Sequence, residues 1–316
     1  MNICLTGGAG FIGSHLLDTL LDRGDTVVVV DNFNDYYSPD VKRANLNKAS
    51  NNPSFRLAEG DLLDDAVLQT AFEGESFDAI VHLAARAGVR PSLQDPILYE
   101  QVNGLGTLRM LEAARTYKVP HLVFASSSSV YGDTTEPPFN ESVKIDRPIS
   151  PYAATKAAGE LYGHTYHHLY GITVNALRFF TAYGPRGRPD MAIAKFTKMI
   201  LEGTPIPFYG DGSTRRDYTY IDDIVQGVVA AIDKPQGFEI FNLGESATTT
   251  LTELVECLEK ELGVKATLDK QPSQPGDVNL TCADISKARE KLGYAPSTPL
   301  REGIKAYVAW YRDTHA

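Results

Sequence analysis

Short apolar runs rich in β-branched residues alternate along the first half of the chain with stretches whose apolar residues recur at helical spacing. NICLT precedes a helix pattern over about 11–23, and TVVVVD precedes a polar helix. FRLAEGD and DAIVHLA follow, then a long helix over about 95–118, HLVFAS, a helix over 151–170 and ITVNALRFF. Runs that stay apolar without alternation fit strands covered on both faces, and the intervening helices supply the crossovers a parallel sheet needs. The pattern predicts an α/β fold: a Rossmann-type doubly wound parallel sheet.

Past residue 180 the alternation loosens. YGPRGRPD, PFYGDGSTRRD and QPSQPGD are loop-forming and lie among shorter helices expected near 190–202, 222–233, 250–262 and 300–313. Residues 1–180 therefore carry the sheet, and a segment of about 217–242 is expected to return to it. Residues 181–316 form mainly a smaller lobe over the sheet's carboxyl edge, where such folds take ligands. Trp310, in the amphipathic IKAYVAWY, reads as core.

Composition narrows the classes. With 316 residues, 43% hydrophobic, the chain can bury a large core. A net charge of -10 without a basic run argues against nucleic acid as a partner, while local arginines can still hold a small anion. Cys4, Cys257 and Cys282 are odd in number and widely spaced, which fits a reducing cytoplasm and neither a disulfide framework nor a zinc site. The N-terminus lacks a signal-peptide pattern, and no apolar run approaches the ~20 residues that span a bilayer, so no membrane partner is expected. His164 and His168 have the i, i+4 spacing of a metal pair, with His167 between them. No carboxylate or cysteine pattern completes a site, so the cluster reads as a solvated face and no metal is expected.

TGGAGFIG follows the first strand and opens the first helix. Gly8, Gly10 and Gly13 satisfy G-x-G-x-x-G, and Gly7, Gly10 and Gly13 a wider spacing. Either places a tight turn and a helix N-terminus where a pyrophosphate can approach unpaired N–H groups. Asp31 ends the second strand 18 residues beyond Gly13, where a carboxylate accepts from ribose hydroxyls and repels a 2′-phosphate. The expected cofactor is NAD. Asp61, in EGDLLD, can reach the adenine or cap a helix. His82, before LAA at a strand end, reads as buried and hydrogen-bonded.

SPYAATKAAGE puts Tyr152 and Lys156 four apart on one helix face. A lysine beside a phenol favours the phenolate, a working general base. Upstream, FASSSSVYG ends a strand in four hydroxyls. Together with TGGAGFIG and Asp31, these segments resemble the extended short-chain dehydrogenase/reductase family over essentially the whole chain. VDNFNDYY, HLAARAGVRPS, RFFTAYGPRGRPDMA and QPGDV are most similar to the nucleotide-sugar epimerases acting on UDP-glucuronate at carbon 4.

That resemblance implies a mechanism. Tyr152 takes the proton of the sugar's 4-hydroxyl while hydride passes to bound NAD, and the 4-keto sugar turns over and receives the hydride on its other face. Lys156 holds the nicotinamide ribose. Counting back from Tyr131, Ser127 is the hydroxyl that bonds the reacting oxygen, with Ser128 assisting. Related decarboxylases and dehydratases carry Glu where this chain has Ser129, which points to plain epimerisation. The implied cofactor contacts extend to Phe11, Ile12, Asn32, Leu62, Leu83 and Ala84, beside Gly7, Gly10, Gly13, Asp31 and Asp61.

The implied partner is a UDP-sugar, with Thr181, Arg186, Arg216 and Asp277 on the substrate side. Arg216 is placed at the diphosphate and Arg186 at the sugar or its carboxylate. Thr181 stands where galactose-type epimerases have Asn, Arg86 where glucuronate epimerases more often have Gln, and Gln274 where many relatives have Arg. Long helices at 95–118 and 151–170 are expected to pair into a homodimer. The alternatives are 4-epimerisation of neutral UDP-hexoses, decarboxylation of UDP-glucuronate, and a non-catalytic NAD-binding scaffold.

Overall fold

The protein's structure, a computed structural model, describes residues 1–133, 137–272 and 279–315. Its centre is a seven-stranded parallel sheet. Six strands come in sequence: β1 (Asn2–Thr6), β2 (Thr26–Asp31), β3 (Phe55–Glu59), β4 (Ala79–His82), β5 (His121–Ser127) and β6 (Thr173–Phe179). The strand Phe238–Leu243 joins beside β6, so the spatial order is Phe238–Leu243, β6, β5, β4, β1, β2, β3. The fold is the doubly wound α/β architecture the apolar runs predict.

Alternate residues feed two cores. Leu5, Val29, Val81, Val123 and Leu177 face the helices Phe11–Asp22 and Ile221–Asp233, while Cys4, Val28, Ile80, Leu122 and Ala176 face those at Asp65–Phe72 and Gly106–Thr116. Burial on both sides explains why these strands are continuously apolar. After β3 the chain returns to the other side of β1 to form β4, so the strand order reverses between β1 and β4. A crevice opens at such a switch point, at the carboxyl ends of the strands.

The helix Pro151–Tyr170 has the bounds its sequence signals: Ser150 caps it by accepting from Ala153 N at 3.1 Å, and Gly171 ends it in the left-handed region. The stretch expected as one helix over 95–118 is instead Pro96–Tyr99, a π-helical turn at Glu100–Leu105, and Gly106–Thr116. Asn103 lies in this wide turn with its side chain aimed at the loop after β4. Its amide accepts from Arg86 N at 2.8 Å and donates to Arg86 O at 3.0 Å, fixing the loop after β4.

Beyond β6 the smaller elements cover the carboxyl edge. Thr181–Tyr183 pairs with Tyr218–Tyr220, Arg215–Arg216 with Thr249–Thr250, and Ile206–Tyr209 with Leu268–Gln271. Trp310 is half-buried and packs on Tyr307. Among the described residues no helix is long and apolar enough to cross a membrane.

Candidate active site

The phosphate-type loop is built on backbone freedom. Register pairs Thr6 with both Val30 and His82, so the turn after β1 lies between Asp31 and Leu83. Gly7 has a φ of 74°, and a Cβ on it would sit 2.7 Å from Ala84 N. At Gly13 a Cβ would lie 2.1 Å from Gly7 O, so the 7, 10, 13 spacing marks positions where the first helix crosses the strand end too closely for a side chain. No side chain caps that helix at Gly10, which leaves its first N–H groups available to an anion.

Asp31 is the brace for this loop. One carboxylate oxygen accepts from Ala9 N at 3.0 Å and the other from Phe33 N at 2.9 Å. Burial raises its pKa, and the two backbone bonds oppose that rise. Each oxygen keeps a lone pair for a ribose hydroxyl. Asp61 accepts from Leu63 N at 2.9 Å and Asn32 Nδ2 at 2.8 Å. The cap of the following helix is Asp64, which accepts from Ala66 N at 2.9 Å, so the capping alternative for Asp61 falls away.

A cavity of about 480 Å³ runs along the carboxyl edge from this loop to the second lobe. At one end it is lined by Gly7, Gly10, Phe11, Ile12 and Gly13, with Asp31, Asn32, Asp61 and Leu62 beside them. Leu83 and Ala84 form its middle. Ser127, Ser128, Tyr152, Lys156 and Thr181 line the other end. One space thus joins the dinucleotide-type loop to the tyrosine and the serine run.

The Ser127 hydroxyl faces Tyr152 and bears on its titration. Burial raises the Tyr152 pKa, while the Ser127 hydroxyl and the charge of Arg188 lower it. Lys156 Nζ donates to Ala125 O at 2.7 Å, and burial pushes its pKa down to about 7. Arg188 is thus a cation acting on Tyr152 beyond those the sequence reading named, while the Lys156 ammonium is turned to the β5 backbone. Ser127 also accepts from Ser129 N at 3.1 Å, which starts the short 3-10 turn Ser128–Tyr131.

The arginines fall differently from expectation. Arg186 turns away from the cavity lining and pairs with Asp18 at 2.9 Å, because its left-handed backbone, φ 58°, directs it at the first helix. Arg188, two residues on, lines the cavity instead, and its guanidinium lies 5.4 Å from the Tyr36 ring. Burial disfavours its charge, but its bonds to Asp190 outweigh that and raise its pKa. Arg216 lies outside this lining on the Arg215–Arg216 strand, where Nη1 donates to Arg215 O at 2.9 Å. Arg86 lines the cavity, 3.5 Å from Asp35. Asp277 and Gln274 lie outside the described residues.

Sequence reasoning missed Arg188, Tyr36 and Tyr99. GPRGRPD does contain a signal: two arginines two apart, only the second followed closely by an acidic partner, Asp190. Tyr99 packs edge-on to Tyr152 at 6.3 Å and donates to Ala87 O at 2.6 Å. His82 is buried, bonded to Thr6 Oγ1 at 2.7 Å, and its pKa is pushed down to about 3 by burial. His164 and His168 stack with centroids 6.5 Å apart.

A glycine-rich loop, an acidic brace at the second strand's end and a Ser–Tyr–Lys set in one cleft define a dinucleotide-dependent short-chain dehydrogenase/reductase of the extended type. The chain matches the GDP-mannose 4,6 dehydratase family over residues 4–307, and it belongs to that family. It is 45% identical to the UDP-glucuronate 4-epimerase of Thermodesulfobacterium geofontis, covering 98% of this chain and 95% of the relative. The UDP-glucuronic acid 4-epimerase of Bacillus cereus, solved with UDP-glucuronic acid and NAD, superposes with a TM-score of 0.93 at 37% identity, covering 99% of this chain and 100% of that one. A UDP-glucose 4-epimerase of Thermotoga maritima, solved with UDP-glucose, superposes with a TM-score of 0.92 at 34% identity, covering 100% of both chains.

Proposed function

We propose that this chain is a NAD-dependent 4-epimerase of UDP-hexuronates, interconverting UDP-glucuronate and UDP-galacturonate. The carrying observation is the continuity of one cavity from the glycine loop to Tyr152 and Ser127, with Arg188 at its sugar end. The family also contains dehydratases, and the epimerase reading follows from Ser129, a hydroxyl where the dehydratase chemistry uses a carboxylate base.

NAD fits the loop: Gly7 and Gly13 admit a pyrophosphate against the helix N-terminus, and Asp31 receives the adenosine ribose. When bound it takes and returns one hydride. Tyr152, faced by Ser127 and under the charge of Arg188, takes the proton of the 4-hydroxyl, and Ser127 orients that oxygen. Lys156 orients the cofactor's ribose from the floor of the site. Thr181 contacts the sugar, and Arg188 rather than Arg186 is the cation that meets the hexuronate carboxylate. Arg216 and Asp277 serve the nucleotide end.

Residues 1–180 with the returning segment near 217–242 act as the cofactor domain, and the remainder of 181–316 as the substrate lobe. Exposed Ile97, Leu105 and Leu161 on the paired helices support a homodimer. Free cysteines Cys4, Cys257 and Cys282 support a cytoplasmic setting.

The test is to supply UDP-glucuronate and UDP-glucose separately, without added NAD, and to identify products by NMR. UDP-galacturonate from the first at much the higher kcat/KM supports the reading. A UDP-pentose or preferred turnover of UDP-glucose contradicts it.

A further inference from the structure

Behind the catalytic face lies a charged group that the mechanism above does not use. Glu160 and Arg178 are 2% and 1% exposed and pair twice, Arg178 Nε donating at 2.9 Å and Nη2 at 2.7 Å. Ser126 Oγ donates a third bond to Glu160 at 2.5 Å. The Arg178 guanidinium also lies 4.7 Å from the Tyr131 ring, whose hydroxyl donates to Asn242 Oδ1 at 2.7 Å. A buried ion pair gains little stability over apolar residues of the same size, because desolvation of both charges opposes their attraction. Some other constraint is the better reason for it.

The connectivity supplies one. Tyr152, Lys156 and Glu160 occupy successive turns of the helix Pro151–Tyr170. Ser126 immediately precedes Ser127 at the end of β5, and Arg178 stands opposite Ser126 in register on β6. The helix is thus fastened to β5 at two neighbouring points, Lys156 to Ala125 O and Glu160 to Ser126 Oγ. Gly159 brings the same helix so close to β5 that a Cβ there would lie 2.4 Å from the Phe124 ring.

We infer that Glu160 is a positioning residue for the epimerisation: held by Arg178, its carboxylate fixes the serine-bearing strand end against the tyrosine-bearing helix and so keeps Ser127 within hydrogen-bond reach of Tyr152. A carboxylate suits this place because it only accepts, and all three groups aimed at it donate. A glutamine would turn an N–H₂ toward a guanidinium or a hydroxyl hydrogen. The inference rests on Tyr152 and Ser127 being the reacting pair.

The experiment compares Ser126→Ala and Glu160→Gln with the wild type as NAD-loaded enzyme, measuring kcat and KM against pH, NAD content and thermal midpoint. Loss of register lowers kcat by about 10- to 100-fold, while KM and NAD content stay within about threefold of wild type. Tyr152 is faced by Ser127 from β5, Arg188 from the loop after Thr181–Tyr183 and Tyr99 from the neighbouring helical turn, so moving the Ser127 hydroxyl away raises the phenol's pKa. The acidic limb of the kcat profile moves to higher pH. A kcat per folded molecule within about twofold of wild type overturns the inference, as does a fall in kcat with the acidic limb unmoved. Ser126→Ala keeps the ion pair intact and decides the matter if Glu160→Gln does not fold. A Tyr152→Phe control separates the two claims: if it remains active, the underlying site assignment fails, whatever Glu160 does.

Discussion

Arg188 and Asp190 form a two-pronged ion pair, Nε to Oδ1 at 3.0 Å and Nη2 to Oδ2 at 2.6 Å, beside the Tyr36 ring and at the end of the cavity that holds Tyr152. The aspartate fixes a guanidinium whose remaining donors are free to meet a substrate carboxylate. Arg188→Ala should lower kcat/KM for both substrates, because its charge acts on Tyr152, and should lower that for UDP-glucuronate by about a further 10- to 100-fold, the range of a charge-assisted bond. Steady-state kinetics on both substrates checks the difference.

The same loop shows where sequence reading stops. YGPRGRPD marks a cationic loop at the right place, but which arginine enters the cavity is set by the left-handed backbone of Arg186 and by Asp18 on the first helix, 168 residues away in sequence. No local pattern carries that pairing. By contrast, β1, β2 and β4 were legible because burial on both faces writes itself as nearly unbroken apolar runs, and the 7, 10, 13 glycines because their spacing is dictated by close backbone approach. The π-helical turn at Glu100–Leu105 was hidden, since Asn103 is drawn inward by a loop that only the tertiary fold brings near. Helical spacing fixes the face that Lys156 shares with Tyr152 but leaves the direction of its long side chain open, and only the tertiary fold brings Arg188 to the same phenol.

Asp31 braces the glycine loop through two backbone N–H bonds. Asp31→Asn should therefore harm cofactor binding beyond the loss of a ribose contact: one oxygen becomes an amide donor facing a backbone donor. NAD affinity should fall about 10-fold or more, a cost of about 1–3 kcal/mol for an unpaired buried group. Titration of NAD by calorimetry against the wild type checks this.

His82 makes stability depend on acid. Its folded pKa of about 3 lies below the ordinary imidazole value of 6.5, because burial penalises the imidazolium. The unfolded chain therefore binds a proton there that the folded chain does not, so its contribution is intact above pH 6.5 and is lost as pH falls toward 3. At a pH two units below the unfolded value the loss is about 2 to 3 kcal/mol. Urea midpoints across this range should fall more steeply for the wild type than for His82→Gln; parallel curves would contradict the assignment.

In the proposed reaction one hydride leaves carbon 4 and returns to it without leaving the enzyme. The direct measurement is to incubate the enzyme, without added NAD, with UDP-glucuronate deuterated at carbon 4, and to follow the products by NMR. The expected product is UDP-galacturonate that retains deuterium at carbon 4, with no pentose formed. Deuterium lost to solvent, or a UDP-pentose as the main product, would contradict it.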